Sequence, residues 1–360
     1  MFKSKILLIG SLCSVFVLQA QTRKYSNEFL SIGVGAKALA MSGSVVASVN
    51  DVTAGYWNPA GLMGVKSNIQ LGLMHSEYFA GIAKYDYGSI AAPIDKTSTA
   101  AITFIRFGVD DIPDTTELLD ASGNFNFDRI KSFSAADYAV LLSYARQHKT
   151  IEGLRYGGNA KIIRRVVGEF ASAWGFGLDL GAQYDYKAFT FGAVFKDVTS
   201  TYNAWTFNLD KLRNVYLATG NELPQSSLEL TLPKLLLGFA YKTSFWEKIS
   251  LRTELDLDAT FDGKRNVLVK SKVASIDPHW GLELGYKNFI FLRGGIGNIQ
   301  SLKNFNGGTY KTFQPNIGVG IKLKRLEIDY ALTNIGGVQE MPYSNVVSLK
   351  LDINKSVPSN

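Results

Sequence analysis

Along residues 249–261 the side chains alternate without a break. Ile249, Leu251, Thr253, Leu255, Leu257, Ala259 and Phe261 share one face, and Ser250, Arg252, Glu254, Asp256, Asp258 and Thr260 share the other. Period two marks a strand with one apolar and one polar face. A helix would gather Glu254 and Asp258 but scatter the leucines. Thirteen residues of alternation suit a tilted, membrane-crossing strand better than a soluble one. The pattern recurs at Phe176, Leu178, Leu180, Ala182, Tyr184 and Tyr186, which alternate with Asp179 and Asp185, and at Ile317, Val319, Ile321 and Leu323, which alternate with Lys322 and Lys324. After a turn at Lys324-Arg325, Leu326, Ile328, Tyr330 and Leu332 alternate with Glu327 and Asp329, which sets Lys322 opposite Glu327 as a cross-strand ion pair.

Fourteen such segments follow Lys66: 66–79, 81–92, 97–108, 134–147, 153–167, 172–186, 188–198, 232–245, 248–261, 277–287, 288–298, 314–324, 325–335 and 344–353. Proline respects these bounds, because it removes a ladder donor and is kept out of strand interiors. Pro59, Pro113, Pro224, Pro342 and Pro358 lie outside every span, and Pro233, Pro278 and Pro315 sit at strand starts. Connections sort by parity. The even ones are short, while the odd ones 109–133, 199–231, 262–276 and 299–313 are long. Short turns on one rim and long loops on the other are the asymmetry of an outer-membrane barrel. The predicted fold is all-β: a 14-stranded antiparallel transmembrane barrel over 65–353, bathed in outer-membrane lipid. A soluble propeller would need a repeat, and no fixed period is present.

Composition agrees. The chain of 360 residues is 46% hydrophobic and 12% aromatic, with 34 glycines and only 19% charged residues, which excludes disorder. A single cysteine excludes a disulfide scaffold and a thiolate metal site. Residues 1–20 carry Lys3 and Lys5, an apolar core and Ala20, the layout of a secretory signal peptide. Removing it takes away Cys13 and lowers the formal charge from +7 to 36 − 31 = +5. That charge is spread along the chain without a basic block, so nucleic acid is not an expected partner. Beyond residue 20 no apolar run is long enough for a membrane helix.

Residues 21–64 lack strand alternation and are rich in glycine and alanine, with Asn58-Pro59 fixing a turn. A compact stretch ahead of a barrel reads as a hatch, or plug, folded into the lumen. Phe29-Leu30-Ser31-Ile32-Gly33-Val34-Gly35-Ala36-Lys37-Ala38, then Met41-Ser42-Gly43, Asn50-Asp51 and Tyr56-Trp57-Asn58-Pro59-Ala60-Gly61-Leu62 resemble the signature of the PorV/PorQ family, outer-membrane proteins of Bacteroidota with a FadL-like fold. The resemblance covers 29–62 closely and extends loosely to the Leu326–Ala331 hairpin and the closing strand. It implies a 14-stranded barrel whose hatch includes Gly33, Gly35, Asn58, Pro59, Ala60 and Gly61. It also implies a part in type IX protein secretion and cell-surface attachment, with secretion or cell-surface proteins as partners. The tail 354–360 departs from barrels that end on an aromatic residue.

Candidate chemistry is sparse. Gly33-Val34-Gly35-Ala36-Lys37-Ala38 lacks the strand–turn–helix context of a dinucleotide site. Asp256, Asp258, Asp262 and Gly263 depart from calcium-loop spacing, and His75, His148 and His279 have no metal or triad spacing. His75 and Ser76 are strand neighbours and point to opposite faces, so no hydrolase is expected. No catalytic residue, metal or cofactor is assigned. The inward face carries Asp179, Arg252, Glu254, Asp256, Asp258, Lys322, Glu327 and Asp329. These charges either bond the plug, through Arg23, Lys24 or Lys37, or line a permeation path. Two functions compete. One is a non-enzymatic protein-interaction barrel whose long loops present Tyr202, Trp205 and Phe207 to a partner. The other is a FadL-like passive transporter for a hydrophobic small molecule, with an apolar pocket beside the plug and a lateral gap.

Overall fold

The computed structural model describes residues 26–118, 124–218, 220–225, 227–304, 308–335 and 343–354. The expected signal peptide at 1–20, Arg23, Lys24 and residues 355–360 of the tail lie outside them.

Alternation along each segment produces strands. In order they are β1 (Ile69–Tyr78), β2 (Ala83–Asp95), β3 (Ser98–Asp114), β4 (Lys131–Gln147), β5 (Leu154–Val167) and β6 (Ala171–Tyr186). Then come β7 (Phe189–Lys196), β8 (Thr201–Phe207), β9 (Ser227–Thr231), β10 (Lys234–Phe245) and β11 (Ile249–Thr260). The last are β12 (Ser275–Tyr286), β13 (Ile290–Lys303), β14 (Thr309–Leu323), β15 (Leu326–Thr333) and β16 (Ser344–Ile353). All pairings are antiparallel, and β1 closes on β16 from Ile69–Ile353 to Glu77–Asn345.

Sixteen segments make fourteen staves. β7 and β8 pair with successive stretches of the same strand, β6, and β9 pairs with β8 as β10 pairs with β7. The wall is therefore a closed 14-stranded antiparallel barrel in which two adjacent staves are interrupted. Outward leucines such as Leu73, Leu255 and Leu292 are exposed, as a lipid-facing surface requires, while their strand neighbours are buried. Among the described residues no helix is long and apolar enough to cross a membrane.

The expected loops need correction. The span 199–231 is largely ordered structure: β8, a helix (Leu209–Ala218) and β9. Between Phe195 and Tyr202, six residues (196–201) stand opposite three of β6 (177–179). An odd surplus of three reverses which parity faces outward, so the alternation loses phase there. Single extra residues do the same between Val109 and Ile112 in β3 and between Gly297 and Gln300 in β13. Each strand runs on past the point where its pattern breaks, and Pro113 falls inside β3 rather than in a loop.

The N-terminal segment packs against the inward side of this wall. Its elements are a 3-10 turn (Glu28–Ser31), α1 (Ala36–Ala40), α2 (Ala54–Trp57) and a second 3-10 turn (Pro59–Gly64). Ala, Lys and Leu favour the helix in α1, and Gly43 at φ +79° ends it, its N–H bonding to the Ala38 carbonyl at 2.9 Å. Val34, Met41, Val52, Trp57 and Leu62 share one apolar core with the wall residues Met74, Tyr85, Ile105, Leu141 and Ile163.

Backbone meets backbone in this packing because three cross-strand glycine pairs make room. Gly157 and Gly181 are directly opposed and receive Asn58-Pro59-Ala60. Gly192 and Gly238 receive Val46-Ala47, and Gly281 and Gly295 receive Met41-Ser42. A Cβ at any of the six would fall 2.3–2.9 Å from an atom of the segment. The double substitution Gly192→Ala with Gly238→Ala is expected to destabilise the barrel by about 1–3 kcal/mol through overpacking. Gly88→Ala, whose Cβ would meet only Leu73 at 3.7 Å, is expected to change stability by under about 0.5 kcal/mol. Denaturant unfolding in detergent measures both.

Candidate functional site

The turn after α1 buries backbone N–H groups that need acceptors. β11 supplies them from two inward positions, since residues two apart share a face. Glu254 Oε1 accepts from Ala47 N–H at 2.6 Å and Ser48 N–H at 3.3 Å. Asp256 Oδ2 accepts from Val45 and Val46 N–H, both at 2.9 Å. Both carboxylates are 1% exposed. Of the predicted inward charges, these two bond the segment through its main chain rather than through a lysine or arginine.

Asn58 fixes the other end. Its Nδ2 donates to the carbonyls of Val46 (2.8 Å) and Ala182 (3.1 Å), and its Oδ1 accepts from Ala60 N–H (3.2 Å) as the cap of the second 3-10 turn. Pro59 occupies the first helical position, where its missing N–H costs nothing. Gly61 passes so close to the Val49 carbonyl that a Cβ would lie 2.2 Å from it. Gly33 adopts φ +99°, and its N–H bonds to Tyr56 Oη at 3.0 Å, which in turn donates to the Leu30 carbonyl at 2.6 Å. Gly35, at φ +83°, precedes α1.

Of the other predicted charges, Arg252, Glu327 and Asp329 fall in one cluster and Asp179 in a second. Arg293 reaches Glu283 at 2.7 Å, Asp329 at 2.5 Å and Glu327 at 3.6 Å, and Arg252 reaches Glu283 at 3.4 Å. Lys350 joins Glu327 (2.8 Å) to Asp51 of the segment (2.9 Å). Lys322 does stand opposite Glu327 in the register, yet the Glu327 carboxylate turns to Lys350, so the expected Lys322 pair is replaced. Burial alone would raise the Asp51 carboxyl, but the ammonium groups of Lys350 and Lys37 outweigh it and hold it well below the carboxylate range. Loss of water around Lys37 pulls that ammonium the other way, below its usual value, against the attraction of Glu283. In the second cluster Lys161 bridges Asp179 (2.7 Å) and Asp197. Lys161, Asp197, Arg293 and Lys350 were not among the sequence candidates, although Leu292-Arg293-Gly294 and Leu349-Lys350-Leu351 carry the alternation that places two of them inward.

The Lys161 cluster sits at the interruption of the wall. Pairing between the two staves stops at Lys196–Lys234 and resumes at Thr201–Thr231. Asp197 and Ser200 have φ near +56° and +57°, and Pro233 on the neighbouring stave has no N–H to donate. Beside the gap is a small pocket of about 50 Å³ lined by Leu30, Tyr56, Leu141, Leu232, Pro233 and Phe261 with the Lys161 cluster. Lys196 lies over the rings of Tyr56 (4.6 Å) and Trp57 (5.8 Å). A larger vestibule of about 540 Å³ opens on the side of the longer connections, above Leu39 and Trp57, with Asp258, Asp277 and His279 on its wall. Pocket and vestibule share Glu28, Ser31, Lys234, Thr260 and Arg265. Among the described residues no group of three His, Cys, Asp or Glu side chains is placed to hold a metal.

Solved structures share this architecture. The chain is similar to the toluene transporter TbuX of Ralstonia pickettii (13% identity over 89% of this chain and 99% of that one, TM-score 0.52) and to the toluene transporter TodX of Pseudomonas putida (14%, 89% and 98%, 0.55). It is also similar to a FadL homologue of Pseudomonas aeruginosa (12%, 89% and 98%, 0.52). The fold is FadL-like. It matches that of Gram-negative outer-membrane proteins, and these neighbours include transporters. No protein-family model and no curated protein sequence matches the chain.

Tyr202, Trp205 and Phe207 lie in β8, in the wall of this FadL-like barrel, not in a surface loop. Tyr202 faces outward against Phe176, with ring centroids 5.8 Å apart, while Trp205 donates to Glu229 at 2.8 Å beneath Arg165. The three side chains divide between two faces. For the acidic cradle, Asp256→Ala strands two buried N–H groups and is expected to cost about 1–3 kcal/mol, whereas Asp256→Asn keeps an acceptor and costs less. Limited proteolysis at 45–48 reads the difference: rapid cleavage in the alanine variant and protection in the asparagine variant.

Proposed function

We propose that the chain is a passive, non-enzymatic outer-membrane conduit for small hydrophobic molecules, and that residues 26–64 act as its hatch. The observation that carries this reading is the paired interruption of the wall, at 197–200 and at Leu232-Pro233, beside a pocket of mixed polar and apolar lining that borders the vestibule through shared residues. A hydrophobic solute gains by leaving water for such a pocket and gains again by passing sideways into lipid, so no axial water-filled channel is needed. Lys161 pairs with Asp179 and Asp197, and Arg265 with Asp262, while Leu30, Leu141, Leu232 and Phe261 supply the apolar part of the lining a solute would meet. The likeness to toluene transporters supports a substrate of that size and polarity.

The secretion-accessory reading, carried by the PorV/PorQ resemblance, rests mainly on the residues between Phe29 and Leu62, with a looser likeness at the Leu326–Ala331 hairpin and the closing strand. Its proposed aromatic docking set is divided between the lipid side and the interior, so it gains no support from the wall.

Deleting Val198, Thr199 and Ser200 removes the surplus of three against β6, lets β7 run into β8 in register with β6, and narrows the gap in the other ladder to Asp197 opposite Leu232-Pro233. The deletion variant is expected to fold and to lose uptake of a small aromatic hydrocarbon into intact cells, down to the level of membranes without the protein. Undiminished uptake by a folded deletion variant would contradict the lateral route.

A further inference from the structure

The outward face is not uniform. From β6 round to β16 it is apolar and aromatic, as at Leu178, Phe239, Leu255, Leu292 and Leu349. On β1–β5 it carries charges toward the rim of the longer connections. Most are paired on the surface: His75 with Asp86 (2.7 Å), Arg106 with Asp86 (3.4 Å) and Asp110 (3.6 Å), and Lys84 with Asp110 (3.4 Å).

Arg164 is different. Among the described residues no carboxylate lies within ion-pair distance of it. Its protein partners are the Ala173 carbonyl at 3.4 Å and the face of Trp174, 5.0 Å from the ring centroid. The guanidinium borders an open groove of about 260 Å³ between the β5–β6 turn and the end of β8. Ser172 and Thr206, directly opposed in the register, line the same groove. Glu169, the acid on its edge, is taken by Lys211 at 2.8 Å. Next to it along β6 and β8 the outward surface turns apolar, with Trp174, Phe176 and Tyr202 exposed.

A charge on the lipid side costs about 2–4 kcal/mol at mid-membrane and less near the interface. An unpaired guanidinium beside two hydroxyls, above an aromatic strip, matches an amphiphile with an anionic head. We propose that this groove binds a phosphorylated lipid of the outer leaflet. Arg164 pairs with the phosphate in the two-pronged manner a guanidinium favours. Ser172 and Thr206 donate to the remaining phosphate oxygens, and the acyl chains lie along Trp174, Phe176 and Tyr202. The site is on the outside of the wall, so it stands or falls apart from the identity of any transported solute.

The test uses the full-length barrel in non-ionic detergent and native mass spectrometry, with phosphatidic acid against diacylglycerol carrying the same chains. The expected result is one retained phosphatidic acid per barrel, no retained diacylglycerol, and retention weakened about tenfold in Arg164→Gln and in the pair Ser172→Ala with Thr206→Val. Arg106→Gln, on the same face, is expected to leave retention unchanged. Three results would overturn the proposal: equal retention of the phosphate-free lipid, loss in Arg106→Gln as large as in Arg164→Gln, or displacement of the lipid by millimolar inorganic phosphate. The last would assign the groove to a free anion.

Discussion

The structure depends on how closely the N-terminal backbone approaches the wall. Three opposed glycine pairs, at 157/181, 192/238 and 281/295, let main chain lie on main chain where any side chain would collide. Close approach removes water from peptide groups, and those groups must then find acceptors and donors in protein. The inward faces provide them. Glu254 and Asp256 take four N–H groups, Gln70 takes that of Val52 at 2.7 Å, and Gln183 donates to the carbonyls of Val46 and Val49. The polar lumen of this barrel is in large part the complement of one polypeptide segment.

That complement also decides what space is left. With the segment seated, the inner space includes a vestibule on the side of the longer connections, a small pocket at the broken staves and a smaller one beside Val52 and Gly72. Lys350 ties Asp51 to the wall by Glu327, so the segment is held by charge on one side and by shape on the other. Breaking a buried pair by removing one partner strands a charge and costs several kcal/mol, about 3–5 in measured cases. In the proposed conduit the way out is through the wall, where the ladder between the two staves is interrupted.

Most of the wall was legible in the sequence because each strand has one face in lipid and one facing a polar interior, the condition under which period two is cleanest. The predicted span 172–186 and the observed strand Ala171–Tyr186 differ by one residue. Legibility ended at irregularities with an odd number of extra residues. After Val109, Lys196 and Gly297 the parity of outward positions reverses, and a reading that follows one parity takes the continuation for loop. That is why Tyr202, Trp205 and Phe207 looked like a loop surface. The role of Asn58 was visible as a turn residue, but its bond to the Ala182 carbonyl, 124 residues away, was not. Partner choice among inward charges was equally hidden. Lys322 and Lys350 both flank Glu327 in the register, and only the position of Asp51 explains why Lys350 takes the carboxylate.

We propose that a small hydrophobic molecule travels from the vestibule through the pocket at the broken staves and leaves sideways. Photolabelling the intact barrel in membranes with a diazirine-bearing aromatic hydrocarbon, then mapping the adducts by mass spectrometry, tests it most directly. Adducts are expected on Leu141, Leu232, Pro233 and Phe261. Adducts confined to Val52, Gly72 and Leu73 at the opposite side of the segment, or to the outer lipid face alone, would contradict it.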